Sequence, residues 1–349
     1  MTGIMDAHSI RKAQADNPKM RARDLAQQLG ISEGEYVAAW LGEGTRRIAV
    51  DFNRIFPGLE ACGEVMALTR NESAVHEKIG IYNKFVGGKH AAMMLGAEID
   101  MRMFPAQWVH GFAVETKTED GVKRSLQFFD AGGEAIHKVH ARPSTNVDAW
   151  NRLIDSLAIP EGTAPSSFGK PVQAWAMDGE PAPVEELRDA WSRMTDTHQF
   201  FPLLRKLRYE RIDAVRKVGD DFAWPVEPRS VETMMTLSSA TELPIMCFVG
   251  NHGCIQIHSG PVRTIKEMGP WINVMDPTFH LHLRMDHIIE AWAVRKPTDK
   301  GHVTSMEAYD AAGNLIIQFF GKRIEGQDER AGWRTIMEGL PRLARAEAA

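Results

Sequence analysis

The sequence predicts an α+β protein built as a tandem duplication of one large antiparallel β-sheet domain with flanking helices. Three observations predict it. Matched segments recur about 180 residues apart, short strand-like runs broken by turn residues fill each half, and a proline-rich stretch separates the halves. Val65-Met66-Ala67-Leu68 falls on Ile245-Met246-Cys247-Phe248, and Ala113-Val114 falls on Ala293-Val294. Phe129-Asp130-Ala131-Gly132-Gly133 falls on Tyr309-Asp310-Ala311-Ala312-Gly313, and the offset is again 180. The run Trp150…Leu153…Leu157 returns as Trp333…Ile336…Leu340 after 183 residues. Two repeats of this size are too few and too large for a solenoid. The expected result is two packed domains with a cleft between them: an N-terminal repeat over 1–160, a linker over 161–183 and a C-terminal repeat over 184–349. Pro160, Pro165, Pro171, Pro181 and Pro183 mark the connection.

Within the first half, Asp24 to Trp40 reads as helical. Ser32-Glu33-Gly34-Glu35 fits a capping box, in which hydroxyl and carboxylate satisfy orphan amides at a helix start. Leu126–Phe129, a turn at Asp130–Gly133, and Ala135–Val139 read as a hairpin. Its echo is Val303–Tyr309, Asp310–Asn314 and Leu315–Phe320. Val249-Gly250-Asn251-His252-Gly253 reads as a tight turn between two more strands.

A chain of 349 residues is long enough for two domains and a core that needs no staples. Its net charge of −5, with acids and bases interspersed, gives no electrostatic case for nucleic acid or an anionic membrane. Cys62, Cys247 and Cys254 do not match across the repeat, so no disulfide framework is expected. The first 30 residues lack an apolar signal region, and no apolar run reaches the roughly 18 residues a membrane helix needs. These features predict a cytoplasmic, non-membrane protein. Neither a phosphate-cradling glycine loop, a nucleophile elbow nor a dinucleotide fingerprint is present. Arg23–Ser32 resembles the first half of a helix-turn-helix, but the acidic then apolar Glu33–Trp40 lacks a recognition helix's basic face. A helix packed on its own sheet is the simpler reading, and a DNA-binding regulator the remote one. His280, His282 and His287 lie in or near an alternating strand without patterned cysteines or carboxylates, which argues against a zinc site. His76, which aligns with Gln256, reads as a surface or strand histidine rather than a second ligand.

The two copies differ most tellingly after the linker. Pro183 sits where a helix could start, and Val184, Leu187, Trp191, Met194 and His198 follow at spacings of 3 and 4. That places His198 on the apolar face of one helix, with Pro202 expected to bend or end the helix just beyond it. The first copy has Met20 at the aligned position. Spacing alone leaves two readings open: a satisfied core histidine, which is the commoner, or an axial ligand for haem iron. Arg211 is similarly open. A helix continued past Pro202 would put it on a face with Leu204, Leu207 and Val215, whereas a turn near Tyr209 would leave it solvated. The turn is the simpler reading, and Glu210 is a poor cap for a helix starting at Arg211.

Met194-Thr-Asp-Thr-His198-Gln-Phe-Phe-Pro-Leu-Leu, Asn273-Val-Met-Asp-Pro-Thr-Phe-His-Leu-His-Leu, Glu290-Ala-Trp-Ala-Val-Arg-Lys-Pro-Thr and Gln318-Phe-Phe-Gly-Lys-Arg323 carry a family likeness. They resemble, in order, the haemin-degrading and haem-transport family of bacterial uptake operons, the HemS, ChuS and PhuS type. The likeness runs from about Ala22 to Pro341. It implies a tandem-repeat fold with one haem (haem b) in a cleft between the halves. It implies that His198 is the proximal iron ligand, Arg211 the distal and catalytic group, and Phe201 an aromatic close to the iron. Lys296 and Arg323 would lie near the propionates, Gln318 would be a polar pocket residue, and Arg102 and Phe104 would line the far side. A distal guanidinium can hydrogen-bond a ligand on the iron and stabilise developing negative charge. The implied function is oxidative haem degradation that releases iron after uptake, driven by an external electron donor. The runner-up is a carrier that passes haem from the uptake transporter to a separate haem oxygenase.

Overall fold

In the computed structural model the described residues are 5–119, 121–160, 167–170, 179–323 and 330–344. Of the proline-rich stretch 161–183, all but 167–170 and 179–183 lie outside them. The strands form two nine-stranded antiparallel sheets flanked by helices. The chain divides into two compact units. One contains Met1–Arg70, Glu77–Ala174 and Gly250–Gln256; the other contains Asn71–His76, Trp175–Val249 and Ile257–Ala349.

The first unit holds an antiparallel ladder of Thr45–Ile48, His110–Thr118, Gly121–Phe129, Ala135–Ala141 and Val65–Arg70, in that spatial order. The second holds Ala223–Val226, Glu290–Thr298, Gly301–Tyr309, Leu315–Gly321 and Ile245–Gly250 in the same order. Four of the five strand pairs begin 180 residues apart, so the repeat read from sequence is a repeat of strands. The hairpin turns match atom for atom. Asp130 Oδ1 accepts from the amides of Gly132 and Glu134 (both 2.8 Å), and Asp310 Oδ1 from those of Ala312 and Asn314 (2.9 and 2.8 Å). Gly133 and Gly313 take φ of 87° and 81°, a left-handed geometry that a side chain would strain.

Helices cover both faces of each ladder. In the first unit Phe52–Ala61 and Val147–Leu157 bury Ile55, Phe56, Leu59, Trp150 and Leu153 with strand residues such as Leu126 and Val139. On the other face Ile10, Leu25, Tyr36 and Val37 meet Phe112 and Phe129. The capping box at Ser32 is present, with the Glu35 amide donating to Ser32 Oγ at 3.2 Å and the Ser32 amide to Glu35 Oε2 at 2.7 Å. The predicted helix over Asp24 to Trp40 is in fact two, Ala22–Leu29 and Glu33–Ala38. Gly30 at φ 69° closes the first in the left-handed conformation.

In the second unit, Ser230–Ala240 and Ala331–Gly339 pack on one ladder face, around Met234, Met235, Trp333 and Ile336. Val184–Ser192, Phe200–Leu207 and Arg211–Lys217 pack on the other, around Leu187, Trp191, Leu204, Ile212, Val294 and Tyr309. Among the described residues, no helix is long and apolar enough to cross a membrane.

Candidate functional site

The segment expected to be one helix carrying His198 on its buried face is broken. Leu187, Trp191 and Met194 are buried as the stripe predicts, but the helix ends at Ser192. A short 3-10 turn spans Thr197–Gln199, and a new helix starts at Phe200. Asp196 causes the break. Its Oδ1 accepts the His198 amide at 2.7 Å, and the Gln199 side chain caps back, a capping box written in Asp196-Thr-His-Gln199. That signal was present in the sequence and outweighs the 3,4 spacing. Pro202 then falls in the first turn of Phe200–Leu207, where its missing amide has no bond to lose. It does not end the helix, which runs on to Leu207.

The consequence for His198 is large. Its side chain is 94 % exposed, not buried. The ring is nonetheless oriented, because Nδ1 lies 2.7 Å from Asp196 Oδ1. The hydrogen bonds from the His198 amide and ring, aided by the Arg323 charge, hold the Asp196 carboxyl below its ordinary range. An ionised carboxylate only accepts, so Nδ1 carries a proton, and in the neutral ring the lone pair sits on Nε2. Phe201, three residues on, is also exposed at 40 %.

On the ladder face that packs against Val184–Ser192, Phe200–Leu207 and Arg211–Lys217 the strands bring together a second group. Ser305, Glu307 and Tyr309 alternate along Gly301–Tyr309 and share a face; Gln318 sits opposite Glu307 on the next strand. Glu307 is fully buried and receives six hydrogen bonds from five side chains. Arg211 Nε and Nη2 bind its two oxygens at 2.8 and 2.7 Å, in the bidentate fork geometry. Lys296 Nζ donates at 2.8 Å, Ser305 Oγ at 2.8 Å, Tyr309 OH at 2.6 Å and Gln318 Nε2 at 3.0 Å. The Phe200 ring lies beneath both cations, 5.0 Å from the Arg211 guanidinium and 4.5 Å from Lys296 Nζ.

Electrostatics follow from this geometry. Burial opposes ionisation of Glu307, but Arg211 and Lys296 outweigh it and hold the carboxyl well below the usual range. Burial pushes the Lys296 ammonium down to about 8 against the pull of Glu307, and the like charge of Arg211 adds to the fall. Burial disfavours charge on Arg211 too, but Glu307 more than offsets it, so the guanidinium is raised and stays charged.

Arg211, Lys296 and Gln318 are thus gathered on one carboxylate; His198 and Asp196 pair separately, and Arg323 acts on Asp196 through its charge. The chain does turn near Tyr209, with Arg208 left-handed, and Glu210 makes no side-chain cap. Yet Arg211 is ion-paired and only 26 % exposed, so the solvated reading fails because Glu307 waits on the adjacent strand. Lys296 is 3 % exposed, its charge directed inward. Arg102 and Phe104 lie in the first unit. Arg102 pairs with Asp100 on strand Asp100–Met103, and the Phe104 amide bonds Gly253 O at 3.0 Å. His76 is a fully buried strand residue beside Phe279. His282 and His287 engage Asn273 and Ser73 at 2.6 and 3.0 Å.

Sequence reasoning missed Glu307. The repeat offered a signal, because the first copy has Gln127 at that position and a charge there breaks the symmetry.

The model of the haemin-degrading HemS.ChuX domain matches this chain twice, at residues 30–157 and 208–340. The chain belongs to the HemS/ChuX family. The two matches coincide with the two copies of the repeat and leave His198 in the interval between them. The hemin transport protein HmuS of Yersinia pestis is 40 % identical over 344 residues, 97 % of each chain. Holo-PhuS, a heme-binding protein from Pseudomonas aeruginosa, superposes with a TM-score of 0.91 at 38 % identity, over 97 % of this chain and 98 % of PhuS. ChuS, described as an E. coli heme oxygenase, gives 0.87 at 36 % identity, over 95 % and 99 %. All three matches span nearly the whole chain, so the resemblance noted in the sequence holds across both copies of the HemS/ChuX fold.

Proposed function

We propose that this protein binds haem through His198 and opens it oxidatively to free iron, using an external reductant and oxygen. The carrying observation is the exposed His198 ring, fixed at Nδ1 by Asp196 with Nε2 free. Metal-ligating histidines are typically held through their other nitrogen in this way, which fixes the tautomer and raises ligand basicity. Haem, as the substrate, supplies the redox chemistry when reductant and oxygen are present. The chain's residues do the rest. Phe201 offers an apolar surface beside the ligand, Arg323 a cation for a propionate, and Arg211 a guanidinium for developing negative charge. Arg102, Phe104, Lys296 and Gln318 complete the proposed set. The reading is supported by the kinship with PhuS and ChuS, which are described as heme-binding and heme-oxygenase proteins.

The carrier reading keeps one specific support: a ligand histidine 94 % exposed is well placed to hand its cargo on. The two separate in one experiment. With ascorbate, air and catalase, an enzyme loses its Soret band and releases iron. A carrier keeps the band, or loses it only when catalase is left out. For the enzyme, Arg211→Ala should slow the loss by on the order of a hundredfold. A band that is stable in the native protein sinks the degradative reading and leaves the carrier.

Asp196→Ala tests the ring's orientation. It should weaken haem binding by on the order of tenfold and, through the lost cap, cost about 1 kcal/mol of stability. Haem titration and thermal melting check the two effects separately. Unchanged affinity would show that the carboxylate does not orient the ligand.

A further inference from the structure

We propose that Glu307 is a positioning residue for this site: it grips the Arg211 guanidinium by its Nε–Nη2 edge and thereby fixes which nitrogen a ligand meets. The inference rests on the reading of Arg211 as a group that acts on bound haem. Its support is geometric. Two parallel bonds of 2.8 and 2.7 Å define the guanidinium plane, and Nη1 is the nitrogen Glu307 does not hold. The carboxylate is itself immobilised by Lys296, Ser305, Tyr309 and Gln318 from three adjacent strands. Phe200 supports the stack from the other side, two residues after His198. Arg211 opens its helix without a side-chain cap, so the helix end itself does little to fix it. Glu307 touches no ligand in this scheme and acts on the reaction through Arg211, with Lys296 and Gln318 anchoring the carboxylate.

The same geometry makes Glu307 the counter-ion of Lys296, which gives a readout that needs no haem. In folded apo-protein, Lys296 should titrate near 8. In Glu307→Gln the anion is gone, and the value should fall by about one unit or more. NMR titration of the lysine ε-carbon reads this directly.

The decisive test is a double-mutant cycle on the rate of ascorbate-driven haem loss with catalase present. Glu307→Gln should come within about threefold of Arg211→Ala, and the double variant should be no slower than Arg211→Ala alone. Losses that multiply, or a Glu307→Gln protein with the native rate, overturn the proposal. If Glu307→Gln does not fold by circular dichroism, Glu307→Asp replaces it. The shorter acid should hold Lys296 near its native titration yet slow haem loss, and a native rate would again overturn the proposal. If the native chain takes up no haem, the haem reading falls by itself, and the Lys296 titration still decides whether Glu307 governs this cluster.

Discussion

His198→Ala is expected to weaken haem binding by on the order of a hundredfold, about 2.7 kcal/mol, and to change the coordination spectrum. The protein should otherwise be untouched. At 94 % exposure the side chain contributes almost nothing to packing, and such substitutions usually shift stability by no more than about 0.5 kcal/mol. The hydrogen bond to Asp196 is lost, but Asp196 keeps the His198 backbone amide and therefore its cap. Melting temperature and affinity should part company: the first stays, the second falls. Added imidazole should restore the native spectrum, because it supplies the missing nitrogen without the chain. If the alanine variant bound haem with an unaltered spectrum, a different residue would hold the iron and the mechanism around His198 would be wrong.

The sequence made the architecture legible because repetition survives as register. Strand Val65–Arg70 falls on Ile245–Gly250 and Ala135–Ala141 on Leu315–Gly321, since one-residue slips would turn every core side chain outward. Aspartate and glycine at 130 and 133, and at 310 and 313, could be read directly, because the turn needs a side-chain acceptor and a positive φ at fixed places. The site was less legible. A spacing of 3 and 4 put His198 in the core, and a short-range capping box at Asp196 overrode it. A solvated Arg211 was the simpler reading because its partner lies 96 residues away on a strand that no local pattern connects to it. The place of Lys296 came from the family likeness alone, because its buried partner Glu307 lies on the next strand and no local spacing marks it. What a single sequence conveys is the periodicity of elements. Which buried charge meets which is decided by the packing of helices on strands, and only the asymmetry of Gln127 against Glu307 hinted at it.

The same burial makes Glu307→Ala the substitution with the largest expected effect on stability, a loss of about 3–5 kcal/mol. Removing the carboxylate strands two cations, Arg211 at 26 % exposure and Lys296 at 4 %, on one ladder face. Arg211 cannot shed its proton, but Lys296 can, and this gives the loss a characteristic pH dependence. In the native protein Lys296 is depressed from 10.5 to about 8. Between those values the unfolded chain binds a proton that the folded one does not, so raising the pH through this window stabilises the native fold. Without Glu307 the folded Lys296 value drops further, and the window in which alkali stabilises the variant opens below pH 8. The gap between native and variant should therefore narrow as pH rises from about 6 toward 9. In acid the sign comes from Glu307, whose folded value is depressed. Its contribution is complete above the ordinary carboxylate range and is lost as pH falls through the folded value, so the gap narrows there too. The difference should peak near pH 5–6. Urea titrations of both apo-proteins at pH 3, 5.5, 7 and 9 measure it, and a gap that is small or constant across that range would show that the buried cluster does not carry the charge states assigned to it.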